Sequence, residues 1–557
     1  MIKPLKFFIT VISIAFFSNA VGQVSAPKLP FTMPQKLMEP KFKADTFNIV
    51  NYGAKGDGIT KNTAAIAKAI DACSKAGGGV VLIPEGLWLT GPIELKSNVN
   101  IHAQKGALVL FSSDFNDYPM LISYYEGQSA WRCQSPLSGK NLENIAITGK
   151  GVFDGSGDTW RFVKKSKLTS AQWKTLVSSG GLVSKDGNTW YPSEKSLKGN
   201  MMYLSESLPA ISDTAAYKAI KDYLRPVMVS LIQCKKVMLD GPTFQNSPSW
   251  CIHPLMCEHL TVKNVNVRNP WYAQNGDGID IESCSIGSVD NCTFDVGDDA
   301  ICIKSGKDAE GRKRGKPTEY FTITNNVVYH GHGGFVIGSE MSGGVRNLYV
   351  SNCTFLGTDI GLRFKSTRGR GGVVENIYIS GISMINIPTE AIRFDMYYSG
   401  TSPVPEGDEK TPDETEKVQK IPAVDEGTPQ FQNFYIKNIW CNGAEQAIFL
   451  QGLPEMSIKN IKIENSSFKT EKGFTCIEGD DIVLNNVILD IMDGDAANLE
   501  NCKNITLKNF SGSSDHGKLL KVTGQESANI SISAPNGKIS ENEIDVSPEV
   551  TNKIIIQ

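Results

Sequence analysis

The 557-residue sequence lacks an excess of either charge: 56 Lys and Arg stand against 59 Asp and Glu, a formal charge of -3. A chain so balanced has no global attraction to nucleic acid or to an anionic membrane, so a polyanion can be held only by a local basic patch. Beyond the first twenty residues it also lacks any uninterrupted apolar run near the ~18 residues that a spanning helix needs. None of its twelve cysteines shows CxxC metal spacing,. Several lie inside repeated strand patterns, so most are expected to be buried core thiols. What the chain does have is glycine, 52 residues, which points to many turns rather than long helices,.

The first twenty residues read as a cleavable export signal: Lys3 and Lys6, the run FFITVISIAFF, then small residues around a cleavage point after Ala20,. No Cys follows that point to carry a lipid. The expected product is secreted or periplasmic, with an N-terminal extension over 21–46 and one domain over 47–557.

From Leu260 onward a short phrase recurs, an Asn or Gly followed by alternating apolar positions: NVNV at 264, NCTF at 291, NVVY at 326, NCTF at 352, GISM at 381, NIWC at 438, NSSF at 465 and NVIL at 486. The steps are 21 to 35 residues, with one of 57. A second phrase, small-apolar-x-apolar, runs beside it at 278, 300, 334, 361, 391 and 447. Each phrase is too short for a helix, alternates with period two and is rich in Val, Ile and Phe, so it reads as strand. Such strands bury their apolar face only against neighbouring coils, which predicts an all-β, single-stranded parallel β-helix. Two loop insertions interrupt it, at about 158–224 and 398–429. Asn62 is placed to cap a short helix with Ala65, Ile66, Ala69, Ile70 and Cys73 on one face, ended by Gly77, and that helix would cover the open first coil.

Aligning the second phrase brings polar residues into register. Asp277 and Asp299 precede equivalent small residues on adjacent coils, ~4.8 Å apart. Asp298 and His332 share the slot before them. Arg363 and Lys365 follow two and four residues after the small residue. Gly297 is expected to free the backbone so that Asp298 and Asp299 project to one side. Carboxylates this close cannot all ionise cheaply, so one should have a raised pKa. An acid and a base side by side are what glycoside hydrolysis requires.

NGDGID at 275–280, GDD at 297–299, GHGG at 331–334 and RFK at 363–365 together resemble the signature motifs of glycoside hydrolase family 28, the polygalacturonases. The resemblance implies a right-handed parallel β-helix that hydrolyses pectin with inversion. It implies Asp298 as general acid, Asp277 and Asp299 as the pair holding the nucleophilic water, and His332 tuning Asp298. Arg363 and Lys365 would bind the galacturonate carboxylate, and Asn275 would order the site. The family's NTD is NGD here, and Phe364 replaces the middle residue of RIK; neither change touches a charged group. Rhamnogalacturonan hydrolases lack the His and the Arg-Lys pair, so a uronate is expected at the cleaved linkage. Like bacterial exo-acting members, the chain continues its third motif as GHGGFVIGSEMSGGVRN, and the two insertions could wall one end of a cleft.

The expected partner is therefore a pectic polysaccharide or oligogalacturonide, with no nucleic acid, no membrane span, no metal and no cofactor. The oligomeric state is left unspecified. Arg368 and Arg370 are candidates to guide a polyanion, whereas the run at 312–316 is expected to be a solvated face. Two other classes remain open: a lyase-like enzyme whose Asp cluster binds Ca²⁺, and a non-catalytic carbohydrate-binding solenoid.

Overall fold

The apolar positions of the second phrase stack in single columns. Ile279, Ile301, Phe335, Leu362, Ile392, Ile448 and Phe474 lie opposite one another on successive parallel strands, and all are fully buried. Period-two alternation sends the residues between them to the other face, so each coil shields its neighbours' apolar side. The result is a right-handed parallel β-helix, the hand that parallel crossovers favour,. The computed structural model describes residues 29–398, 421–513, 516–535, 537–552 and 554–556. The proposed signal segment and most of the 398–429 insertion lie outside them. Met33–Gln557 form one compact unit.

The corners explain the recurring asparagines. Asn264, Asn291, Asn325 and Asn352 all adopt left-handed backbone, φ 53° to 58°, which Asn tolerates better than most residues. They also bond along the solenoid: Asn291 Nδ2 donates to Asn264 Oδ1 at 2.7 Å, and Asn264 Nδ2 to Asp240 Oδ1 at 2.8 Å. The corner near the third repeat is Asn325 rather than Asn326, which is buried and bonds to the coil below instead.

Helix α1 (Thr63–Lys75) buries Ile66, Ala69, Ile70 and Cys73 against the first coil. This is the expected cap, with Ala65 only half-buried. Asn62 stands at the N-cap position but does not cap the helix. Its side chain braces the preceding loop, accepting from Lys55 N at 2.7 Å and donating to Lys55 O and Thr60 O. All twelve cysteines are free and buried; Cys257 N donates to Cys284 Sγ across adjacent coils at 3.2 Å.

The 158–224 insertion folds into a three-stranded antiparallel sheet (Val163–Lys164, Leu182–Val183, Thr189–Tyr191) and three short helices. Its helical-looking segment SDTAAYKAIKDYL forms one short helix, Thr214–Lys218, and then a 3-10 turn. Trp160 and Trp190 are buried in its packing. Among the described residues no helix is long and apolar enough to cross a membrane.

Candidate active site

Four consecutive strands carry the site: β1 (Ile279–Glu282), β2 (Ile301–Lys304), β3 (Gly333–Gly338) and β4 (Ile360–Lys365). Their register sets Asp277 beside Asp299, with Gly278 N donating to Asp299 O at 2.9 Å, and His332 beside Asp298, with His332 N donating to Asp298 O at 2.9 Å. One oxygen from each of Asp277, Asp298 and Asp299 lies within 4.8 Å of the other two. Gly297 has no unusual φ. It supplies room, because a Cβ there would lie 2.5 Å from Pro270 O. The Gly276 of NGD is explained the same way: a side chain would meet Ala273 at 2.6 Å. Phe364 turns inward and packs 4.4 Å from Phe394 and 4.9 Å from Phe434, ring centre to ring centre, so it belongs to the core and leaves its charged neighbours on the site face.

The cations meet the acids directly. Lys365 Nζ donates to Asp299 Oδ2 at 2.7 Å and Arg363 Nη1 to Oδ1 at 3.3 Å. His332 Nδ1 lies 3.2 Å from Asp298 Oδ1. Burial works against ionised Asp299, but Lys365 and Arg363 outweigh it and hold the carboxyl below its ordinary range. Burial likewise works against Asp298, and the hydrogen bond and charge of His332, with Lys365 and Arg363, more than offset it. The same bond raises the His332 pKa. Asp277 is different. It is almost fully buried, its Oδ1 has no hydrogen-bond partner among the described residues, and desolvation, reinforced by Asp280 and Asp298, pushes its pKa far up. Of the three carboxyls, the one with the raised pKa is thus Asp277 and not Asp298, the resemblance's general acid.

Asn275, in left-handed backbone, accepts from Arg225 Nη2 at 2.8 Å. All seven expected residues therefore lie on or beside these coils. Others went unrecognised in the sequence. Asp280 occupies the register column of Arg363, and Lys304 and Glu282 that of Lys365. Asp280 is fully buried, neither of its oxygens has a hydrogen bond among the described residues, Lys304 Nζ lies 3.6 Å from Oδ1, and desolvation raises its pKa strongly. Lys304 also binds Glu340 at 2.8 Å. Glu282 accepts from Arg314 at 2.5 Å and pairs with His253 at 2.8 Å. The alternation that revealed Arg363 and Lys365 would have revealed these had every column been filled in. Lys167, from the insertion, carried no periodic signal; its Nζ lies 3.3 Å from His332 Nε2, and its carbonyl accepts from the indole of half-exposed Trp271 at 2.9 Å.

The guiding role expected of Arg368 and Arg370 fails. Arg368 makes a two-point bond to Glu455 at 2.5 and 2.8 Å, and Arg370 Nη1 donates to Asp308 Oδ1 at 2.5 Å. Arginines whose charge is met by a carboxylate are poor lures for a distant polyanion. The 312–316 run is not a plain solvated face either: Arg314 serves Glu282, and Arg312 donates to Gly369 O at 2.6 Å. His330 is an exposed residue paired with Asp295.

A model of the family described as glycosyl hydrolases family 28 matches residues 210–417, and one described as rhamnogalacturonase A/epimerase, pectate lyase-like, matches 46–168. The exo-poly-alpha-D-galacturonosidase of Dickeya chrysanthemi is 30% identical over 416 residues, 73% of this chain and 64% of that protein. A probable polygalacturonase of Vitis vinifera is 28% identical over 352 residues, 61% of each. The chain thus spans somewhat under two thirds of these two relatives. Among solved structures, the exopolygalacturonase of Thermotoga maritima superposes with a TM-score of 0.67 at 30% identity, covering 82% of this chain and 94% of that one. The family 28 exopolygalacturonase of Yersinia enterocolitica shares the fold, with a TM-score of 0.65 at 23% identity over 85% and 79%. Matched over nearly the whole of the Thermotoga enzyme and carrying the four motifs on successive coils, the chain belongs to glycoside hydrolase family 28.

Proposed function

We propose that this protein is an exported hydrolase of α-linked galacturonate in pectic polymers, acting from a chain end. The observation that carries the reading is the trio Asp277, Asp298 and Asp299 within 4.8 Å, flanked by Arg363 and Lys365. Asp298 donates a proton to the leaving glycosidic oxygen as the bond from C1 breaks. A water held by Asp277 and Asp299 adds its oxygen to C1 and gives up its proton to one of them. The substrate carboxylate meets Arg363 and Lys365, and Asn275 orders the strip.

Burial pushes the Asp277 pKa far up, while His332, Lys365 and Arg363 hold that of Asp298 down. The cluster titrates as a unit, and a substrate carboxylate offsets the cations that depress Asp298. Binding would then favour the proton on Asp298 and leave Asp277 ionised as base. The oxygens are closer than the ~6.5–9.5 Å usual for inverting pairs and nearer the ~5–5.5 Å of retaining ones. Asp299 is nevertheless a weak nucleophile, since both its oxygens face cations. Inversion therefore rests on family membership and on that neutralisation.

End-directed action is supported by Lys167, which brings the insertion to His332, and by the names of the Dickeya and Thermotoga relatives. The signal-like N-terminus supports export. Incubation with polygalacturonate tests the reading: new reducing ends, no unsaturated product, and full activity after chelation are expected. Chelator-sensitive release of unsaturated sugars would instead establish a calcium-dependent lyase.

A further inference from the structure

The 158–224 insertion leans on a hairpin of the solenoid, Met120–Tyr125 with Gln128–Cys133. Tyr203 Oη donates to Glu126 at 3.2 Å and Trp131 Nε1 to Ile211 O at 2.7 Å across that junction. A pocket of about 250 Å³ lies between the two and reaches Asn275, two residues from Asp277. Its volume falls just under the ~300–1,000 Å³ of ordinary small-molecule sites, which suits a single sugar residue.

The polar groups of this pocket are unbalanced. Arg132, Lys164 and Arg225 line it against one carboxylate, Glu126. Arg225 is 5% exposed, and among the described residues its guanidinium donates only to neutral acceptors: Pro248 O at 3.1 Å, Gln274 O at 2.8 Å and Asn275 Oδ1 at 2.8 Å. Neither Arg132 nor Lys164 forms an ion pair among the described residues. The Arg132 guanidinium lies 3.6 Å from the centre of the Tyr125 ring, but among the described residues its buried Nε has no hydrogen-bond partner, and neither has the hydroxyl of Tyr125, a side chain 7% exposed that lines the same pocket. Of the three, Arg225 is buried, Arg132 half-buried and Lys164 exposed; a buried cation without a counter-charge is costly, and orphaned buried donors are rare. This set of donors is complementary to an anion with several acceptor oxygens. Phe162, Tyr191 and Tyr223 add aromatic faces, which suit the apolar face of a sugar ring,.

We infer that this pocket receives the terminal uronate residue of the substrate chain, its carboxylate bound by Arg132 and Lys164 under the field of Arg225 and its hydroxyls by Tyr125 and Asn275. The inference rests on the hydrolase reading and deepens it: a cationic pocket beside the catalytic coils makes the enzyme count from a chain terminus. Lys164 is exposed and can be replaced without disturbing the fold.

The test is steady-state kinetics on trigalacturonate for the wild type, Lys164→Gln, Arg132→Gln and Tyr125→Phe, with thermal midpoints as a control. Lys164→Gln and Arg132→Gln should each raise KM by ~10-fold or more, the loss of a charge-assisted bond, with kcat nearly unchanged. Methyl-esterifying the terminal residue should cost the wild type as much, and should cost Arg132→Gln little more. Unchanged KM in both charge variants, with the wild type active, overturns the pocket and leaves the hydrolase standing. If the wild type does not cleave trigalacturonate, the hydrolase reading falls. Calorimetry then decides the pocket: trigalacturonate bound by the wild type and by neither charge variant supports an anion site, and equal binding refutes it.

Discussion

His332 Nδ1 reaches Asp298 Oδ1 at 3.2 Å from the next coil, while its Nε2 faces Lys167 of the insertion and, at 3.7 Å, Asp359. The imidazole thus connects Asp298 to Lys167 of the 158–224 insertion.

The pH dependence follows from that pair. The His332 pKa is raised above its ordinary 6.5 by its bond to Asp298, so its share of the stabilisation is full below that value and is lost as pH rises through the raised one. Asp298 is depressed, so its share of the stabilisation is present above pH 3.8 and lost as pH falls through the lower value. Activity should show an alkaline limb with a midpoint above 6.5, and His332→Asn should remove that limb. An unchanged limb in the variant would separate His332 from catalysis.

Asp298→Asn should cut turnover on polygalacturonate by at least ~10²-fold, the usual contribution of a positioned acid, with little change in melting temperature. NMR of the first product formed by the wild type should show the anomeric configuration inverted. Retention would make one of the tightly spaced carboxylates a covalent nucleophile and refute the water-holding role of Asp277 and Asp299.

Lys365 and Arg363 both hold Asp299 and are proposed to hold the substrate carboxylate, and substitution should expose both roles. Lys365→Gln removes the 2.7 Å partner of a buried carboxylate and should destabilise the fold by ~3 kcal/mol or more. Arg363→Gln, with its longer 3.3 Å contact, should cost less. Each should weaken binding of galacturonate more than of its methyl ester. Equal losses on both ligands would mean that the pair serves only Asp299.

Asp280 offers a test of the second layer. Its folded pKa is raised, so the native state holds a proton that the unfolded chain releases above pH 3.8, and stability declines with rising pH from that value to the raised one. The slope is ~1.4 kcal/mol per pH unit for one proton. Asp280→Asn should fold, flatten that decline, and match or exceed the wild-type melting temperature at neutral pH. A variant less stable than wild type at neutral pH would mean that ionised Asp280 supports Lys304.

Much of this was legible before any coordinates. Asp277 with Asp299, and Asp298 with His332, could be paired from spacing alone because a period-two strand leaves no choice of face once one apolar column is assigned. The same logic put Arg363 and Lys365 on the strip, and it would have added Asp280 and Lys304. Gly297 was placed correctly but for the wrong reason, since a clash with Pro270 O is a contact between distant segments and leaves no trace in local pattern.

The sequence by itself determined the solenoid, its register and the strip of acids, because each depends on repeats that every coil imposes on the next. Tertiary structure decided the rest. It set Lys167 against His332, brought Arg132 and Lys164 to one pocket, gave Arg368 to Glu455 and Arg370 to Asp308, and raised the pKa of Asp277 rather than that of Asp298. These contacts join segments 62 to 165 residues apart, or follow from how deeply a side chain is buried. Neither the path of an aperiodic loop nor the local loss of water is written in a repeating pattern.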